Sequence, residues 1–85
     1  MTSLKERRDY MTRQFTLEQS RNLAGLTQED MAEKLGVSVT TYYNYEKYNR
    51  YMRMDTAFLF SKITNLSIDE IIFLPTKYGN SVQKV

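Results

Sequence analysis

Catalysis needs side chains that attack, carry protons or hold a metal, and this sequence is poor in them. It has no cysteine and no histidine, so a nucleophile–base pair or a zinc site would need an unusual set of groups. It has no glycine-rich loop of the kind that cradles phosphate. The chain is therefore read as a non-enzyme with no metal and no cofactor. Recognition chemistry remains. In VSVTTYYNYEKYNRYM, Val37 to Met52, five tyrosines (Tyr42, Tyr43, Tyr45, Tyr48 and Tyr51) are interleaved with Lys47 and Arg50, and Arg53 follows directly. Tyrosines so placed can be core, a stacking platform or part of a surface that reads a polymer. The cations are either ordinary charge scatter or a local anion-facing strip.

The elements that must position these residues belong to a small chain. Eighty-five residues suit one domain. A domain of this size buries only about 60–65% of its unfolded surface, so its stability margin is thin. The net charge of +2 is too small to announce nucleic acid by itself; the local basic block around Lys47 says more. The N-terminus is basic but is followed by no apolar run, and no apolar stretch approaches the roughly 20 residues of a membrane span. With the lack of cysteine, this predicts a cytoplasmic protein without membrane contact.

One local pattern recurs. LTQEDM, VSVTTY and LSIDEI each place an apolar residue before Ser or Thr and another four positions after that hydroxyl. The hydroxyl accepts from a free first-turn amide, and the apolar pair closes as a staple. In the third copy, Ser67 and Glu70 also have capping-box spacing. Acids occupy the first turn in the first and third copies, where the helix dipole favours them. The second copy has Val39, Thr40 and Thr41 instead, which leaves that terminus approachable by an anion. Gly25 and Gly36 follow apolar runs as helix stops.

These signals predict five helices, over residues 12 or 15 to 24, 28–35, 39–48, 55–64 and 68–73. No segment alternates for long enough to demand a strand. Met54, Ala57, Phe58, Leu59, Phe60 and Ile63 make the fourth helix apolar on more than one face, which predicts a central helix. The methionines read as core filler. The expected fold is all-α, a compact five-helix domain over residues 15–74. A basic extension at 1–14, with capping-box spacing at Ser3 and Glu6, precedes it, and a polar tail at 75–85 follows.

The second and third helices are joined only by GVS, which makes a helix-turn-helix unit. Ala32 is small at the crossing, Met31 and Leu35 point inward, and Val37 plugs the turn. Tyr42 and Tyr45, three apart, give the third helix its inner face. Helical spacing turns Tyr43 outward beside Asn44. This division of the tyrosines between faces weakens single-stranded nucleic-acid stacking as a function.

The segments GLTQEDMAEKLGVSVTTYYNYEK and MDTAFLFSKITNLSIDEI resemble the Cro/repressor-type (XRE-like) helix-turn-helix regulators of bacteria, phages and mobile elements. The spacing matches without a gap from Arg21 to Ile71. The resemblance implies a phosphate contact for Gln28 and a third helix lying in the major groove. Val39, Thr40, Tyr43 and Asn44 are then its outward positions, with Thr41 near the backbone. Asn44 suits adenine, threonines serve several bases, and Val39 or a threonine methyl suits thymine's methyl. Lys47, Arg50 and Arg53 would meet phosphates. The resemblance also implies a salt bridge between Arg21 and Glu46.

Three positions depart from the family pattern: Tyr42, whose hydroxyl needs a polar partner if buried, stands where Ile, Val or Leu is preferred, Tyr48 where glycine is usual and Met52 where proline is frequent. Either the third helix runs longer, or Asn49 takes the left-handed conformation. The expected function is a sequence-specific double-stranded DNA-binding regulator, a repressor, acting as a homodimer on a palindromic operator. Ile72, Phe73 and Leu74 are the candidate dimer surface. The alternatives are an antitoxin, a protein-interaction module on the same fold, and regulation through an antirepressor or toxin partner.

Overall fold

The computed structural model describes residues 14–74. The expected N-terminal extension, including Ser3 and Glu6, and the expected polar tail lie outside these residues, apart from Gln14. Four helices follow one another: α1 (Leu17–Leu23), α2 (Gln28–Leu35), α3 (Val39–Glu46) and α4 (Met54–Thr64). A short 3-10 turn, Ile68–Glu70, closes the series. Among the described residues there is no strand, only an isolated parallel bridge between Phe15 and Ile71.

The start signals work as their chemistry requires. Thr27 Oγ accepts from the Asp30 amide, and the Asp30 carboxylate accepts from the Thr27 amide, both at 3.0 Å. Ser38 Oγ accepts from the Thr41 amide at 3.0 Å. Glu70 accepts from the Ser67 amide at 2.9 Å. The staple partners Leu26 and Met31, Val37 and Tyr42, and Leu66 and Ile71 all join the core. α1 starts at Leu17, later than both of its expected positions, because Thr16 caps it. Its hydroxyl accepts from the Gln19 amide at 3.1 Å, while Gln19 returns an acceptor to the Thr16 amide at 2.9 Å.

Three expectations are corrected. The fifth helix is only a turn. Its capping chemistry is present, but Ile71 is extended (φ −112°, ψ 133°) and its two neighbours bond instead to the strand-like residue before α1. Phe15 donates to the Glu70 carbonyl and accepts from the Ile72 amide, both at 2.8 Å. Pairing across the domain thus takes the place of a helical continuation. α3 ends at Glu46 rather than at Tyr48. Neither Asn49 nor a longer helix resolves the missing glycine: Tyr48 itself sits in the left-handed region, at φ 60°. The central-helix expectation for α4 holds only in part. Phe60 is fully buried, but Met54, Phe58 and Leu59 are exposed, so Met54 is not core filler.

The core lies where α2 and α3 cross and α4 covers them. Met31, Ala32 and Leu35 meet Tyr42 and Tyr45, with Leu17, Phe60 and Ile71 closing the remaining sides. Tyr42 and Tyr45 pack edge to face, centroids 6.3 Å apart, an arrangement favoured by ring quadrupoles. Gly36 turns the chain between α2 and α3 at φ 75°. Val37 then donates its amide to the Ala32 carbonyl at 3.0 Å and packs against the core.

Candidate nucleic-acid interface

The site begins with how α3 is held. Its inner face is anchored by Tyr42, wholly inaccessible, and Tyr45, also buried. Its C-terminal residue, Glu46, is the centre of a polar cluster linking three helices. Arg21 on α1 donates to Glu46 through Nε at 2.6 Å and Nη2 at 3.3 Å. Gln28, the first residue of α2, donates from Nε2 to Oε1 at 2.9 Å. Arg21 Nη1 also donates to the Leu26 carbonyl at 3.0 Å. The ion pair is enclosed, with side-chain exposures of 11% for Arg21 and 4% for Glu46.

Burial alone would push the Glu46 carboxyl up, but hydrogen bonds from Arg21 and Gln28 and the nearby Tyr42 hydroxyl outweigh it and hold the group below its ordinary value. The hydrogen bond to Glu46 raises the Arg21 guanidinium against the opposing effect of burial. The Tyr42 hydroxyl lies against this pair without a hydrogen bond of ordinary geometry. Burial first, and then Glu46, push its ionisation far above that of a free phenol.

With the inner face so fixed, helical spacing presents the other side of α3 to solvent. Val39, Thr40 and Tyr43 are exposed, and Thr41 and Asn44 are half-buried. The first turn carries no acid. Asn44 Oδ1 accepts from Asn49 Nδ2 at 3.3 Å, which turns the Asn44 amide nitrogen away from that contact. Lys47 places its ammonium 5.3 Å from the centre of the Tyr43 ring, a cation–π distance. Thr41 is engaged by the cap, its hydroxyl 3.0 Å from Ser38 Oγ.

The model of the helix-turn-helix family matches residues 17–71, well over half of the chain. The chain belongs to the Cro/C1-type helix-turn-helix family. No curated protein and no solved structure matches it. Membership brings sequence-specific DNA binding and transcriptional regulation as the coarse function. No helix among the described residues is long and apolar enough to cross a membrane.

Within this helix-turn-helix protein the expected residues fall into three groups. Val39, Thr40, Thr41, Tyr43, Asn44 and Lys47 share α3 or its C-cap, with pairs three and four apart lying as neighbours. Gln28 and the Arg21–Glu46 pair form the enclosed cluster behind that helix. Arg50 and Arg53 are exposed on the connection to α4. Arg50 is tied to α3 only through its amide, which donates to the Asn44 carbonyl at 3.3 Å. Arg53 contacts Asp55 at 3.5 Å, an exposed pair.

Two residues gain roles that spacing did not assign. Asn49 orients Asn44. Tyr48 donates its hydroxyl to the Ile72 carbonyl and accepts from the Leu17 amide at 3.3 Å, so it ties the end of α3 to both chain segments that close the domain. A helix wheel could reveal neither, because both residues lie past the helix end.

Proposed function

We propose that this chain is a repressor that sets α3 in the major groove of operator DNA and binds a palindrome as a homodimer. The observation that carries the reading is the division of α3. Its inner tyrosines are locked into the core while Thr40, Tyr43 and Asn44 stand on the opposite side, beside a terminus free of acid. Asn44 reads adenine: its oxygen has a second lone pair besides the one used by Asn49, and its amide hydrogens can meet N7. Thr40 and Val39 contact further base edges. Gln28, tied to Glu46 through one amide hydrogen, keeps the other for a phosphate. Lys47, Arg50 and Arg53 add phosphate contacts, which position the helix without reading sequence. One recognition helix covers few base pairs, so half-sites about 34 Å apart on a two-fold axis complete the specificity.

Selection of bound sites from random duplex DNA at fixed salt tests this directly. The expected product is a palindrome with adenine at the Asn44 position. Asn44→Ala should lose about 1–3 kcal/mol on that operator and relax selection at that one position. An unchanged ratio of operator to random-DNA affinity in the variant would sink the assignment. A wild-type chain that binds no duplex even at low salt would instead favour the protein-interaction reading.

A further inference from the structure

Among the described residues, part of the apolar surface of α4 is left exposed. Met54 is 70% exposed and Phe58 54%, large values for side chains of this kind in the middle of a small domain. Leu59 is exposed beside them. At about 100° per residue, Met54, Asp55, Phe58, Leu59 and Lys62 form one continuous stripe, and all five are exposed.

The charges on this stripe say what fits it. Asp55 lies near the N-terminal end and Lys62 near the C-terminal end, seven residues or about 10 Å apart along the axis. Phe58 and Leu59 lie at the midpoint. An axis of two-fold symmetry between Phe58 and Leu59 brings two such helices together antiparallel. Asp55 then faces Lys62 of the partner subunit, and Lys62 faces the partner's Asp55. Phe58 meets the partner's Leu59 at the centre, and Leu59 the partner's Phe58. Such a surface is complementary to itself, the requirement of an isologous interface. A stripe of one sign would instead require a different protein.

We propose that the exposed stripe of α4 is the homodimer surface of this protein. The proposal rests on the reading that a dimer binds a palindrome, and it replaces the surface expected at Ile72, Phe73 and Leu74. Phe73 packs edge to face on Phe60, centroids 6.0 Å apart, and so serves the domain's own core. Ile72 is half-buried with its carbonyl accepting from Tyr48, and Leu74 is the one exposed residue of the three. The Arg53 contact with Asp55 is exposed and long, and contacts of this kind contribute little; it leaves the carboxylate available. Five side chains are far fewer than the roughly 20–30 residues a side of a standard interface. Association is accordingly weak in free solution and strengthens when adjacent half-sites hold two copies together.

Two single substitutions test the antiparallel pairing. Asp55→Lys makes the stripe wholly basic, and Lys62→Glu makes it wholly acidic. Sedimentation equilibrium of the full chain, without DNA, should show wild type dimerising in the micromolar-to-millimolar range. Each variant alone should associate about tenfold more weakly or worse, because like charges now face each other. An equimolar mixture should recover wild-type association, since both cross-pairs are then complementary. Thermal melts check that each variant folds. A wild type that stays monomeric at millimolar concentration, or variants whose self-association is unchanged, would overturn the proposal. So would failure of the folded variants to associate on mixing. Binding of each variant to a duplex carrying a single half-site is measured in parallel. Retained half-site binding with lost dimerisation supports the interface, whereas absence of half-site binding in wild type counts against the DNA reading alone.

Discussion

Glu46 is the acceptor at the centre of the enclosed polar cluster. It accepts from Arg21 and Gln28 in an enclosed site. Glu46→Ala should cost about 3–5 kcal/mol in a denaturant titration, because the Arg21 charge is left enclosed and unpaired. The group also links stability to pH. Its folded value lies below the ordinary glutamate value of about 4.3. Its stabilisation is therefore complete above that value and is lost as pH falls through the lowered one. The melting temperature of wild type should drop across this acid range. In Glu46→Gln the drop should be smaller, with the exposed Asp30 carboxylate, also held low by its cap, supplying part of what remains. Equal acid dependence in the two proteins would remove Glu46 from that role. The Arg21–Glu46 pair was legible through the family resemblance, but the Gln28 contact was not, because residues 18 apart in sequence carry no mutual periodicity. The same limit hid the Asn49 contact on Asn44.

At the scale of elements, starts were more legible than stops. A start is written in a few adjacent residues, the cap and the staple, and the structure uses those signals at Thr27, Ser38 and Ser67. A stop depends on what else the chain can bond. Tyr48 shows this best. A bulky residue in the left-handed region costs about 1–2 kcal/mol, so glycine would be the local choice. Tyr48 offsets that cost through its hydroxyl bonds to Leu17 and Ile72 and its packing on the core. Tyr48→Phe keeps the ring and loses only the hydroxyl, leaving the Leu17 amide and the Ile72 carbonyl without this partner. It should destabilise by about 1–3 kcal/mol in chemical unfolding. Tyr48→Gly should also destabilise, since relief of backbone strain does not replace the lost packing and bonds. A more stable glycine variant would show that strain outweighs them. The 3-10 turn teaches the same lesson: its capping signal was local, and its early end was set by Phe15, more than fifty residues away.

For the molecule as a whole, a net charge of +2 gives little long-range attraction for DNA, so affinity must come from a few placed cations. Lys47→Ala should weaken binding to all sequences alike and reduce the slope of log K against log salt by about one. If the loss is confined to operator DNA, Lys47 reads bases and does not merely neutralise phosphate. The all-helical architecture was legible because three capped starts, the glycine stops and the lack of any long alternating segment leave few alternatives in so short a chain. The exposed face of α4 was not. Composition shows that a helix is apolar, but only the packed structure shows which of its apolar residues find neighbours.

The bridge between Phe15 and Ile71 carries a consequence for how the domain can be rearranged. Entry and exit of the folded unit lie side by side, hydrogen-bonded at 2.8 Å in both directions. Domains whose ends meet tolerate circular permutation and insertion into other proteins. A short linker joining the two ends, with new termini opened in the exposed connection at Asn49 and Arg50, should preserve the helices while freeing α3 from its covalent tether to α4. Such a permutant would separate what the connection contributes to DNA binding from what the fold requires. The unit could equally be spliced into a surface loop of a carrier protein, arriving and leaving through a single opening.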